Sequence, residues 1–228
     1  MTSQLVRLGL SFERIGVDLR ASNASEVAAV VRATFPALDF DLGRLSGAEV
    51  GCWLSHLSCW KRMRDRNAGA CTVLEDDLIL DDALAEAIST LATQDAFDMV
   101  YLGTSSRNLS TRRRTAIGAL WAQEPVGAIY NTWGYSMSRG YIERFLAEKR
   151  IAIDVPIDHF LGGLAPPLSP RIAVVRPNLV YEHRVLGAAS QIEPFTNRVD
   201  RWRIVDLVRR RLLSSRISYL YDVVYRML

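Results

Sequence analysis

The sequence predicts an α/β domain, a mostly parallel sheet flanked by helices, and three observations lead there. Apolar, β-rich runs alternate along the chain with segments of helical spacing. The length of 228 residues suits one domain with a small appendage. Three adjacent acids, Glu75, Asp76 and Asp77, directly follow one of the apolar runs, and in sheets of this class ligands sit beyond the carboxyl ends of strands. Residues 1–197 are expected to form the domain and residues 198–228 a basic helical tail.

The elements follow in order. Phe12 to Val17 reads as a short strand. Ser25 to Thr34 has helical spacing and stops before Pro36, where a helix should end. Ser46 to Asn67 is the strongest helix. Ser46 and Glu49 have the spacing of a capping box, and Val50, Trp53, Leu54, Leu57 and Trp60 fall on one face. Cys71 to Leu74 is a strand that ends in the acids. Asp82 to Thr93 is helical, Phe97 to Leu102 is a buried-type strand, and a polar loop then carries Arg107 and Arg112 to Arg114. Val126 to Ser138 is β-rich, Ser138 caps a helix from Arg139 to Lys149, and Arg171 to Val175 and Leu179 to Tyr181 are late strands. Asp154 is expected to cap a short helix that begins at Pro156.

Composition narrows the function classes. Hydrophobic residues make up 49% and charged residues 23%, which excludes a disordered or fibrous chain. No unbroken apolar run reaches the roughly 18–20 residues that span a bilayer. The first twenty residues carry charges throughout, unlike a secretory signal. Cys52, Cys59 and Cys71 contain no C-x-x-C pair and cannot all pair with one another, so a reduced, cytosolic compartment is expected. The net charge of +3 is mild, and no nucleic-acid partner is expected. Of 28 basic residues only Lys61 and Lys149 are lysines; arginine suits bidentate phosphate contacts, but a GC-rich genome is the preferred explanation. No G-x-x-x-x-G-K loop is present, which argues against a nucleotide-driven motor.

Four segments carry candidate chemistry. Adjacent acids repel, and a divalent cation removes that cost; in extended chain Glu75 and Asp77 point to one face and Asp76 away. All-oxygen ligation suits Mg²⁺ or Mn²⁺. A solvated loop that begins the next helix is the alternative. Glu49, Cys52 and His56 share one side of their helix, as an acid/base or metal cluster, or as a helix cap beside a buried histidine. Asp158, two residues after Pro156, is either a carboxylate base at the mouth of a site or an ordinary first-turn acid. Thr132 to Ser138, TWGYSMS, is a strand-to-helix turn.

Together and in this order, SGAEVGCWLSHLSCWKRM, TVLEDDLIL, FDMVYLG, NTWGYSMSRGYIERFL and VPIDHFL resemble glycosyltransferase family 25, the bacterial lipooligosaccharide galactosyltransferases and their collagen galactosyltransferase relatives. The resemblance spans roughly residues 5 to 192. It implies a GT-A type nucleotide-diphospho-sugar transferase fold, a UDP-sugar donor, Mn²⁺, a glycan or glycolipid acceptor and inversion at the anomeric carbon. The family's acidic motif matches Glu75, Asp76 and Asp77. Its E-x-G-C-x-x-S-H stretch matches Glu49, Gly51, Cys52, Ser55 and His56, and its T-x-G-Y-x-x-S stretch matches Thr132, Gly134, Tyr135 and Ser138. Pro156 and Asp158 match its Pro-x-Asp segment. Members usually open with an apolar strand before the first helix, so the domain is expected to lack that strand, through a misassigned start or a truncated gene.

The expected mechanism makes Asp158 the general base, with Glu49 second. Glu75, Asp77 and His183 would hold the metal, while Asp76, His56, Thr132, Gly134 and Tyr135 would contribute to donor binding. A non-catalytic member that binds glycan or a partner enzyme is the alternative. A metal-dependent phosphoester hydrolase using the same acids is a further reading. The tail from Arg201 to Leu228 has an apolar side and clustered arginines, as in helices that lie on anionic membranes. The expected location is cytoplasmic, with contact on the inner face of the cell membrane.

Overall fold

A computed structural model describes residues 1–105, 109–118, 120–148, 151–163 and 168–182. Helix α1 (Thr2–Arg7) is tied to the body by Gln4, whose side chain bonds Leu78 O and Leu80 N, both at 2.9 Å. The segment Phe12 to Val17, expected as a strand, pairs with no strand among the described residues. It lies along a helix instead: the Val17 N–H donates to Ser55 Oγ at 2.9 Å, and Glu13 meets Arg62 at 2.6 Å and Arg66 at 2.8 Å. Its short apolar pattern does not distinguish a strand from a chain laid against side chains.

Helix α2 (Ala24–Thr34) opens with a capping box between Asn23 and Glu26. After β1 (Leu38–Phe40) comes α3 (Gly47–Asp65), capped by Ser46 and Glu49 as expected. Val50, Trp53, Leu54, Leu57 and Trp60 are all fully buried, and Gly51, His56 and Met63 are buried too, so α3 is sunk into the core on more than one face. Gly51 must be glycine, because a Cβ there would lie 2.5 Å from Val17 O.

The elements that follow are β2 (Ala70–Leu74), β3 (Leu78–Leu80), α4 (Leu84–Leu91) and β4 (Met99–Tyr101). Next come β5 (Leu109–Ile117), β6 (Leu120–Pro125), β7 (Gly134–Ser138) and α5 (Arg139–Ala147), then β8 (Ile151–Ile153), α6 (Ile157–Gly162), β9 (Ile172–Arg176) and β10 (Val180–Glu182). The polar loop expected around Arg112 to Arg114 is therefore strand β5, which forms a hairpin with β6. Ile117 pairs with Leu120 across the turn, and Gly118 adopts the positive φ (58°) that such a turn favours. Asp154 does not cap α6; it forms an ion pair with Arg44.

The main sheet has six strands in the order β2-β7-β4-β9-β6-β5. It is mixed, not mostly parallel: only β4 and β9 pair in parallel, while β7 runs against both β2 and β4, and β6 against both β9 and β5. An apolar run carries no direction, so the alternation of strands and helices could not reveal the two reversed strands. Two smaller pairs, parallel β1–β8 and antiparallel β10–β3, flank it. Side chains alternate across the sheet. Met99, Tyr101, Tyr135 and Val174 face the core under α2, α3, α5 and α6, whereas Val100, Leu102, Ala173 and Val175 face the core under α1 and α4. This topology brings the carboxyl ends of β2 and β4 and the amino end of β7 to one edge.

Candidate active site

Glu75 leaves the end of β2, and its N–H donates to Trp133 O at 3.0 Å. Thr132, buried before β7, donates its hydroxyl to Glu75 Oε1 at 2.6 Å. Burial is the main cause that pushes the Glu75 pKa up to about 7, and the charges of Asp77, Glu182 and Asp158 add to it, while the Thr132 hydrogen bond opposes. Glu75, Asp76 and Asp77 form the turn between β2 and β3 instead of extended chain. Asp76 reaches outward to Arg14 at 3.4 Å while Glu75 faces Thr132.

Asp158 arrives from α6, which an aromatic chain anchors. The Trp53 indole N–H donates to Val155 O at 3.0 Å, and its ring meets Phe160 edge-on at 4.7 Å. Phe160 in turn meets Phe145 at 6.0 Å, and Phe145 meets Trp60 at 5.2 Å. The Asp158 carboxylate accepts from the His159 N–H at 2.8 Å. The Tyr101 hydroxyl is fully buried and has no hydrogen-bond partner among the described residues, its pKa raised by burial first and by Asp158 second. On α3 the Cys52 thiol is pushed up to about 12, by burial first and then by the charges of Glu75, Asp158 and Glu49. One thiol on α3 thus feels acids from β2, α6 and the first turn of α3. It stays protonated at neutral pH, so it acts as a neutral wall rather than a nucleophile.

The remaining expected site residues divide by burial. Glu49 performs the capping role: its Oε2 accepts from Ser46 N and Ser46 Oγ, both at 2.7 Å. His56 and Tyr135 are in the core, 5% and 0% exposed, and face each other beside Trp60. Gly134 lies at the amino end of β7, where a Cβ would stand 2.8 Å from Leu74 Cδ2. His183 and Arg107 lie outside the described residues, as does the tail 198–228. In the sequence Trp53 reads as simple core and Tyr101 and Tyr130 carry no motif of their own; an aromatic beside each motif is the available signal. A surface depression lined by Phe35, Lys61, Arg64 and Phe145 contains none of these groups.

Among the described residues no three His, Cys, Asp or Glu side chains converge as a ready-made metal site. The donor chemistry nonetheless fits a hard cation. Glu75 and Asp77 both lie at a strand end, where the Asp77 charge adds to the rise in the Glu75 pKa, and such a cation binds through one or two carboxylates plus substrate phosphates.

The sequence model of glycosyltransferase family 25, described as an LPS biosynthesis protein, matches residues 1–161. The chain belongs to glycosyltransferase family 25. Among its relatives, procollagen galactosyltransferase 1 of Danio rerio is 28% identical over 152 residues, which cover 64% of this chain and 25% of that protein. Procollagen galactosyltransferase 2 of Homo sapiens is 25% identical over 183 residues, 76% of this chain and 28% of that protein. The inactive glycosyltransferase 25 family member 3 of Homo sapiens is 28% identical over 129 residues, 51% of this chain and 20% of that protein. This family 25 chain therefore spans about a fifth to a quarter of the length of the curated relatives it matches.

Proposed function

We propose that this chain transfers a hexose, galactose in the first instance, from a UDP-sugar to a hydroxyl of a glycan acceptor, with inversion at the anomeric carbon and on a GT-A type fold. The observation that carries this reading is the buried Glu75 carboxylate, bonded to Thr132 at 2.6 Å where β2 and β4 end and β7 begins, with the charge of Asp158 felt there. One carboxylate then serves the acceptor and the other the leaving group. Asp158 takes the proton from the acceptor hydroxyl as its oxygen bonds to the anomeric carbon. The bond from that carbon to the diphosphate oxygen breaks on the opposite side, and its electron pair leaves with UDP. Mn²⁺ or Mg²⁺ held by Glu75 and Asp77 would neutralise the charge that develops on the diphosphate. Thr132 orients Glu75 for this task. His56, Tyr135 and Trp60 act from beneath, by holding the start of β7 in place.

The acceptor in this reading is a growing lipooligosaccharide or lipopolysaccharide on the cytoplasmic face of the inner membrane, and the basic, apolar tail 201–228 keeps the enzyme there. Salt-sensitive co-sedimentation with anionic vesicles, lost on deletion after Asp200, supports that placement; equal sedimentation without the tail refutes it.

A second reading also has a specific observation behind it: a relative named as inactive matches at 28%, as does a procollagen galactosyltransferase. Here the chain binds donor or glycan without turnover. One experiment separates the two: release of UDP from UDP-galactose with Mn²⁺ and oligosaccharide acceptors, beside calorimetric UDP binding. Turnover that Asp158→Asn abolishes supports the transferase. Tight UDP binding with no turnover across sugar donors supports the binding protein.

A further inference from the structure

Tyr130 is 57% exposed, yet nothing around it is loose. The N–H of Ile129, on one side, donates to Gly162 O at 2.7 Å. On the other side the Asn131 amide donates to Gly103 O at 3.2 Å and its oxygen accepts from the Thr104 hydroxyl at 2.7 Å. Thr132 is then locked to Glu75 at 2.6 Å. Ile129, Thr104 and Thr132 are buried, so three neighbours pull the backbone inward and Tyr130 alone turns its ring to solvent. That ring meets His159, also exposed, with centroids 4.7 Å apart and planes tilted at 50°. His159 follows Asp158, and its own N–H is the donor to the Asp158 carboxylate.

The result is an aromatic corner in fixed relation to both carboxylates. On one side the chain passes within two residues to Thr132, which grips Glu75. On the other the ring contact passes to the residue that bonds Asp158. An isolated exposed aromatic needs no explanation, but a ring held out by anchored neighbours and packed on His159, the residue whose N–H bonds the Asp158 carboxylate, has the makings of a ligand face. Apolar rings with a few convergent polar groups are the usual composition of small-molecule sites. The ligand that suits this corner has an apolar face of C–H groups to lie on the tyrosine ring and hydroxyls at its rim to meet Asp158 and the imidazole. A pyranose has that chemistry, whereas uracil and diphosphate do not offer the rim of hydroxyls.

We propose that Tyr130 and His159 form the subsite for the acceptor's terminal sugar ring, stacking it so that one hydroxyl reaches Asp158. This rests on the transferase reading for the role of Asp158, but the platform is testable by itself. The probes are methyl β-galactoside, methyl β-glucoside and methyl β-N-acetylglucosaminide, followed by saturation-transfer NMR on the full chain, with UDP affinity measured in parallel. The wild type is expected to bind at least one glycoside. Tyr130→Ala should weaken that binding at least about tenfold, the scale of a lost aromatic contact. Tyr130→Phe should stay within about twofold of wild type, since the face and not the hydroxyl is used. UDP affinity should be unchanged in both variants. Thermal melts of the variants verify the fold, and His159→Ala provides a second, independent loss. The proposal is overturned if no glycoside binds the wild type, if Tyr130→Ala binds as well as wild type, or if UDP binding falls in step with glycoside binding. A wild type that binds glycosides through Tyr130 but no UDP-sugar would sink the transferase reading and leave the platform standing.

Discussion

The imidazole Nδ1 of His56 lies 2.8 Å from the hydroxyl of Tyr135. The Trp60 indole N–H donates to the same oxygen at 2.9 Å. An indole only donates, so the tyrosine oxygen accepts from Trp60, and the contact with His56 uses that hydroxyl's remaining hydrogen-bonding capacity. The three side chains join α3 to β7, the strand whose start carries Gly134 and follows Thr132.

This network makes stability depend on pH. Burial holds the His56 pKa down to about 4, against 6.5 for the free side chain. Below pH 6.5 the unfolded chain takes up a proton that the folded chain refuses. Stability therefore falls as pH drops from 6.5 toward 4, by about 3 kcal/mol in total, and this contribution levels off below that. His56→Gln removes the titration. In urea melts the variant should be less stable than wild type at pH 7.5, with the gap narrowing steadily toward pH 4.5. Other titrating groups cancel in the difference. A gap that stays constant would refute the buried neutral histidine.

The acid turn makes a second prediction. Replacing Asp77 with Asn should abolish UDP-dependent Mn²⁺ binding in titration calorimetry while the circular dichroism spectrum is kept, because the side chain is exposed and supports no packing. Asp76→Asn should bind normally, since Asp76 turns toward Arg14. Undiminished Mn²⁺ binding by Asp77→Asn would remove it from the metal site.

Asp158 and Glu49 separate by kinetics and stability. Asp158→Asn should lower turnover at least ~10²-fold, the low end for a lost general base, with UDP binding little changed. Glu49→Gln should keep near-normal turnover, since Gln also serves at this capping position, and Glu49→Ala should lose about 1 kcal/mol of stability as a broken cap does. The reverse pattern of rates would move the base to Glu49.

Far from this edge, Asp98 is 8% exposed and accepts from Arg171 N at 2.8 Å, from Arg144 at 3.2 Å and from Arg171 Nε at 3.3 Å. Burial works to raise its pKa, but these donors together outweigh it and hold the carboxyl below the usual range. Asp98→Ala should destabilise the fold by about 2 kcal/mol, because buried donors lose their acceptor. Turnover per folded molecule should be unchanged; a specific loss of rate would tie Asp98 to the site.

Much of the fold was legible because it is written locally. The capping box of α3 is a spacing of three residues, and its buried face repeats at helical period, so both could be read from neighbours in the chain. The acids after β2 were legible for the same reason: their cost is visible without knowing what they face. Strand β5 was not legible, since Arg112 to Arg114 have no apolar pattern and their strand exists only because the β6 backbone supplies a ladder. Nor was Phe12 to Val17, whose partner is a serine on α3 38 residues from Val17.

The amino-acid sequence by itself determined the α/β class, the main helices, the family and the acid turn, because propensity, capping and periodicity act over a few residues. Tertiary structure alone decided that the sheet is mixed, that His56 and Tyr135, 79 residues apart, meet in the core, and that the Tyr130 ring packs on His159. Those facts depend on strand direction and on packing between distant elements, which no local pattern encodes.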